Sequence, residues 1–173
     1  MKRAVIKKNI HNEKFVLFFH EYKDNGVCSN WYRSSFKVDG ITFDTVEKYM
    51  MYQKAILFKD RETANKILLA TSPGEIKALG RKVKNFDNKI WDEHKFDIVF
   101  TGVFNKFTQN EELKQWLIET DADYFVEASP FDAIWGIKLD ASDSRCLDVK
   151  QWKGENLLGK AILKARKAIV AQK

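Results

Sequence analysis

Residues 45–58, TVEKYMMYQKAILF, carry a helical apolar pattern with two charges set into it. A helix turns ~100° per residue, so positions spaced 3, 4, 7 and 11 apart share a face. Counted from Glu47, that face holds Met50, Met51, Lys54 and Phe58, with Leu57 at its edge. The polar side is narrow and consists of Lys48, Tyr52 and Lys59. A carboxylate and an amine therefore project from the stripe that should face inward, where an unpaired charge costs several kcal/mol. Two readings accommodate them. Both charges reach the rim of the stripe or find partners on other elements, which is the ordinary outcome for a helix taken alone. Otherwise the stripe lines a cavity.

The flanking segments set this helix in an α+β chain, mostly helical with a small sheet. KFVLFFHEY (14–22) has the apolar density of a buried strand, and DNGVCSNWYRSSF (24–36) reads as a loop. KVDGITFD (37–44) reads as a hairpin turning at Asp39-Gly40. Asp44 or Thr45 then caps the helix, and Glu47 in its first turn complements the helix dipole. Helices are predicted over 60–70 and over 72–81, the latter capped by Ser72 with Pro73 at its first position. Phe96, Val99, Phe100, Val103, Phe104 and Phe107 recur at helical spacing between Ile90 and Phe107. Thr108 and Glu111 have capping-box spacing ahead of a helix over 110–120. Strands are predicted at YFVEAS (124–129) and IWGIKL (134–139), with Asp132 at the turn before the second. Residues 141–155 read as a poorly ordered polar loop, and a basic amphipathic helix over 156–170, capped by Asn156, closes the chain. Repeats and linkers are absent, so residues 1–173 read as one domain with its core at about 15–170.

Composition narrows the function classes. Thirty Lys and Arg against twenty-four Asp and Glu give a net charge of +6, with much of the excess at the two ends. This charge suits phosphate-bearing partners, although a solvated basic surface accounts for it as well. The twenty-three Phe, Trp and Tyr fill a core and also suit stacking on flat ligands. Cys28 and Cys146 show no metal-type spacing, and neither pairs convincingly with His11, His20 or His94 as a nucleophile. No apolar run approaches a membrane span and no secretory leader is evident, so a cytoplasmic protein without a membrane partner is expected. Asp132, Trp135 and Gly136 bring an acid, an aromatic and tight backbone to the mouth of a strand. That is either a ligand corner or a turn aspartate ahead of a core tryptophan.

The order CSNW (28–31), TVEKYMMYQKA (45–55), LGR (79–81), NKFTQN (105–110), VEASPFDAIWG (126–136) and GENLLGKAILKAR (154–166) resembles the YbiA/NADAR family from about Phe19 to Arg166. The D-x-x-W-G and G-x-N-x-L-G elements are the most specific. The resemblance implies a single α+β domain and an N-glycosidase that hydrolyses the bond between ribose C1 and a nitrogen. One branch acts on phosphoribosylated pyrimidine intermediates of riboflavin biosynthesis. Another releases ADP-ribose from guanine bases in nucleic acid or from related ADP-ribosyl compounds. The chain departs from the pattern after Gly136, where some members continue with a glycine-rich stretch and this one runs Ile137-Lys138-Leu139-Asp140 into ASDSRCLDVKQWK.

Such chemistry passes through an oxocarbenium-like state. A carboxylate can stabilise it and activate water. A lysine can instead attack C1 and form a Schiff base, and an apolar wall lowers its pKa for the purpose. Lys54 has that setting, and the resemblance makes it the candidate nucleophile. Glu47, roughly 10 Å away between Cα atoms, is expected to grip ribose hydroxyls or act as acid/base, with Asp132 sharing that work. Trp31 and Trp135, beside Gly136, are candidates for stacking. Ser29, Asn30 and Asn156 are candidates for hydroxyl or phosphate contacts, and Gly159 for close backbone approach at a helix start. Arg81 and Lys106 are candidate phosphate partners. No metal or cofactor is expected. The leading reading is removal of ADP-ribose from guanine or a kindred group. The alternatives are the riboflavin-pathway activity and a non-catalytic ADP-ribose or nucleotide-binding module. A pure binding module has no need of a buried amine.

Overall fold

The computed structural model describes residues 1–172. Its architecture is α+β: six helices around a three-stranded sheet, with a separate hairpin. The opening helix is α1 (Val46–Leu57), and Thr45 is its cap, accepting the Lys48 N–H at 3.1 Å. Met50, Met51 and Phe58 are buried, as the spacing predicts. Asp60 caps α2 (Arg61–Leu69), and its second oxygen accepts the Lys84 N–H at 2.9 Å. Ser72 and Pro73 open α3 (Pro73–Arg81). The long α4 (Asn88–Thr108) packs between α1 and α6 (Leu157–Val170), with α5 (Glu111–Glu119) alongside.

In the sheet, β1 (Lys7–Lys8) pairs antiparallel with β2 (Lys14–Phe18), and β2 pairs parallel with β5 (Tyr124–Glu127). The register sets Phe18 opposite Glu127, so both strands end at one edge. The hairpin joins β3 (Phe36–Val38) to β4 (Ile41–Phe43). Asp39 and Gly40 both have positive φ, 48° and 81°, the backbone that a two-residue Asp-Gly turn requires. A main core lies among the helices, and a smaller one beneath the sheet gathers Phe15, Leu17, Val126, Ile137 and Cys146.

Four local readings change. The run 134–139 is not a strand. Asp132 Oδ1 accepts both the Ile134 and the Trp135 N–H at 2.8 Å, and only the Ile137 N–H reaches β5, at the Glu127 carbonyl. Ile137 and Leu139 are buried as loop, whereas Ile134 is exposed. Thr108 and Glu111 form no capping box, because Thr108 is still helical and its hydroxyl bonds back to the Phe104 carbonyl. Asn110 takes the cap position instead. Lys48 is not on a wet face: it is buried and donates to the Ala70 carbonyl at 2.9 Å. Residues 141–155 hold two short 3-10 turns pinned by buried Cys146, whose carbonyl accepts the Trp152 indole N–H at 3.0 Å.

Candidate active site

The site forms where the start of α1, the end of β5 and the turn at 132–135 converge. The CSNW loop docks on α1 through the Asn30 carbonyl, which accepts the Glu47 N–H at 3.0 Å. Glu47 is half-buried. Burial pushes its carboxyl up to about 7, Asp132 adds to the rise, and Lys77 and Lys54 oppose it. Glu127 responds still more strongly. Burial, then the charges of Asp132 and Glu47, raise it to about 8 against the pull of Lys77. Three carboxyls therefore share one electrostatic environment, with one lysine from α3 and one from α1 at its margin.

Lys54 approaches from the far end of α1. Its amine donates to the Gly80 carbonyl at 2.8 Å and lies 4.3 Å from the Phe86 ring and 5.7 Å from that of Trp91. Gly80 belongs to the last turn of α3, where carbonyls lack intrahelical donors. Gly80 also permits the crossing, since a Cβ there would lie 2.0 Å from Met51 Sδ. Desolvation lowers the Lys54 pKa, and Glu47 partly restores it. The amine is thus predisposed to lose its proton and is held by a single hydrogen bond.

The other anticipated residues divide. Trp31 lines a cleft of about 370 Å³ with Thr45, Pro73 and Ile76. Trp135 is half-buried against the main core, and Gly136 is pressed onto the Glu127 carbonyl, 2.8 Å from where its Cβ would be. Asn30 is buried, and its Oδ1 has no partner. Arg81 is exposed at the end of α3. Lys77, one turn earlier, is the α3 cation whose charge reaches the carboxyls.

Four expected ligands are corrected. Asn156 is buried at φ 53° and does not cap α6. Its amide donates to the Phe125 carbonyl at 2.8 Å and accepts the Glu127 N–H at 3.0 Å, so it extends the edge of β5 like a piece of strand. Gly159 serves helix packing, since a Cβ there would lie 1.9 Å from the Phe125 carbonyl oxygen. Ser29 is buried, and its hydroxyl is used locally by the Trp31 N–H. Lys106 is 1% exposed, too enclosed to meet a phosphate. It donates to the Ser29 carbonyl at 2.9 Å and sits 5.3 Å from the Tyr32 ring, holding the CSNW loop from behind.

Burial lowers the Lys106 pKa to about 7. The unfolded chain binds a proton there up to the ordinary 10.5, while the fold does not. This group therefore adds stability as pH rises through that interval. A one-proton difference is worth ~1.4 kcal/mol per pH unit. Glu127 and the two thiols titrate in both proteins and largely cancel in the comparison, so between pH 8 and 9 wild type should gain stability over Lys106→Met by about that slope. Parallel denaturant melts at the two pH values measure it.

Sequence reading missed Glu127 and Lys77. Glu127 had one legible signal: a carboxylate ends an apolar strand, and strand carboxyl ends are where ligands collect in parallel sheets. Lys77 had none.

Residues 17–170 match the model of the NADAR domain. The chain belongs to the NADAR family. N-glycosidase R617 of Acanthamoeba polyphaga mimivirus is 41% identical over 165 residues, covering 91% of this chain and 97% of that protein. Protein irg-1 of Caenorhabditis elegans is 36% identical over 171 residues, covering 90% and 79%. The NMR structure of YbiA from Escherichia coli superimposes with a TM-score of 0.76 at 26% identity, covering 98% of this chain and 90% of that one. Membership places this NADAR chain among enzymes that act on N-glycosyl bonds. Among its described residues, no helix is long and apolar enough to cross a membrane.

Proposed function

We propose that this NADAR protein hydrolyses the ribose C1–N bond of an ADP-ribosylated guanine base, in nucleic acid or in a related ADP-ribosyl compound, with Lys54 as nucleophile. The observation that carries the reading is the pairing of a desolvated amine on the wall of α1 with carboxyls whose protons are held to near neutral pH. Lys54 would release Gly80 and bond C1, giving a ring-opened Schiff base that water then splits. Glu47 and Asp132 would orient the ribose and the water. Acid and base roles need groups that titrate near the working pH, which Glu47 does.

The space beside the carboxyls, lined by none of Glu47, Lys54, Asp132 or Glu127 themselves, has room for an ADP-ribosyl group and not only for a single phosphoribose. A cleft of about 970 Å³ runs from the loop before Asp132, through Ala128, Pro130 and Phe131, to Lys2, Arg3, Lys7 and Lys23. It adjoins the Trp31 cleft through Glu21 and Tyr32. Two nucleoside-sized halves and a diphosphate fit a volume at the upper end of ordinary ligand sites. Asp140 and Ala141, where the chain departs from other members, form part of its rim.

The test offers three substrates in parallel: DNA carrying ADP-ribosyl-guanine, ADP-ribosylated protein and a phosphoribosyl-aminopyrimidine. Mass spectrometry follows release. Free ADP-ribose with restored guanine is the expected result. Release from the aminopyrimidine alone would assign the riboflavin-type activity, and binding without release from any substrate would make this a recognition module.

A further inference from the structure

We propose that Glu127 is a further catalytic residue of this site, the acid that protonates the leaving nitrogen as the C1–N bond breaks. The inference rests on the N-glycosidase reading and adds to it a residue that neither the motifs nor the spacing singled out. Its backbone is fixed from three sides: the N–H by Asn156 Oδ1 at 3.0 Å, the carbonyl by the Ile137 N–H at 3.0 Å, and the register by Phe18 across the sheet. The side chain has no such anchor at one oxygen. Its Oε2 is enclosed and has no hydrogen-bond partner. A buried, unpartnered polar atom costs about 1–3 kcal/mol, a cost that an acid awaiting its acceptor would carry. Asn30 repeats the pattern, buried with an unpartnered Oδ1, and its carbonyl holds the start of α1 that bears Glu47.

The charged groups that face Glu127 are Glu47 on α1, Asp132 in the turn and Lys77 on α3. Two carboxylates and burial outweigh one lysine, so the proton stays on Glu127 to about pH 8. Of Glu127 and Glu47, Glu127 holds its proton to the higher pH and is the better supplied with one at neutrality.

The proton count closes. The C1–N electron pair passes to the base nitrogen, which takes the Glu127 proton, while the Lys54 nitrogen bonds C1. Lys54 then gives one proton back to Glu127 and one to the ring oxygen, which leaves C1 as an imine forms. Water splits the imine, its oxygen going to C1 and its two hydrogens to the lysine nitrogen. The ribose and the protonated base are released, and both residues return to their starting states.

The test compares wild type with Glu127→Gln on two substrates: ADP-ribosyl-guanine, whose leaving nitrogen needs a proton, and a 4-nitrophenyl riboside of ADP-ribose, whose leaving phenolate does not. General-acid loss is expected to slow the first by about 10²–10⁴-fold and to remove the fall in kcat/KM above about pH 8. The second should stay within several-fold of wild type. Equal losses on both substrates, or an unchanged alkaline limb, would overturn the assignment while leaving the N-glycosidase reading in place. Absence of wild-type turnover on any N-ribosyl substrate would overturn that reading first, and this one with it. Thermal melts accompany the kinetics, and Glu127→Asp supplies a second variant that keeps an acid at the end of β5.

Discussion

Lys54→Ala should lower turnover of an N-ribosyl substrate by on the order of 10³-fold or more, because a covalent route has no substitute for its nucleophile. The fold should survive. The amine gives up one hydrogen bond to Gly80 and its place over Phe86, together worth about 1–2 kcal/mol. Lys54→Arg separates the two contributions: a guanidinium still reaches the end of α3 and the aromatic faces, yet it stays charged and forms no imine. Its stability should lie near wild type and its activity near that of the alanine variant. Borohydride added during turnover should trap an adduct that maps to Lys54 in wild type and is missing in both variants. Near-native turnover by Lys54→Ala would refute the Schiff-base route and leave carboxylate-assisted attack by water.

Gly159→Ala should destabilise the protein strongly for a single added methyl group. Helix propensity alone predicts the opposite, a gain of about 1 kcal/mol. The added Cβ would stand 1.9 Å from the Phe125 carbonyl oxygen and within 2.7 Å of both polar atoms of the Asn156 amide. The first obstacle is backbone in the middle of β5, so no rotamer relieves it, and α6 must move away from the sheet. Overpacking of this kind costs about 3 kcal/mol or more, which for a chain of this size lowers Tm by roughly 6–12 °C. Activity should fall as well, since the same displacement disturbs the amide that holds the Glu127 N–H. A melting temperature at or above wild type would show that α6 is less tightly seated than its backbone contacts imply.

These residues also show where sequence reading stops. Asn156 and Gly159 stand out in the sequence as a G-x-N-x-L-G element, and the pattern alone invites a phosphate-binding role. Their work is instead to close α6 onto β5, a contact between segments some thirty residues apart that no local pattern contains. Lys106 had a helical position consistent with a surface cation, but burial is a property of the packed chain. The run 134–139 has a strand's composition and no strand partner, because Asp132 has already taken the first N–H groups for a turn.

What the sequence determined by itself was local in origin. The cap at Ser72, the choice of Asp44 or Thr45 ahead of α1, the Asp39-Gly40 turn and the apolar spacing of α1 and α4 follow from hydrogen bonds and periodicity within a few residues. It also marked Glu47 and Lys54 as charges out of place. Only the tertiary structure decided what surrounds them. It brought Glu127 and Asp132 to Glu47, placed Lys77 where its charge acts on Glu47 and Glu127, and set Lys54 against the end of α3. The reason is physical: a raised carboxyl or a lowered amine is produced by desolvation and by charges from distant parts of the chain, and both exist only once the chain is packed.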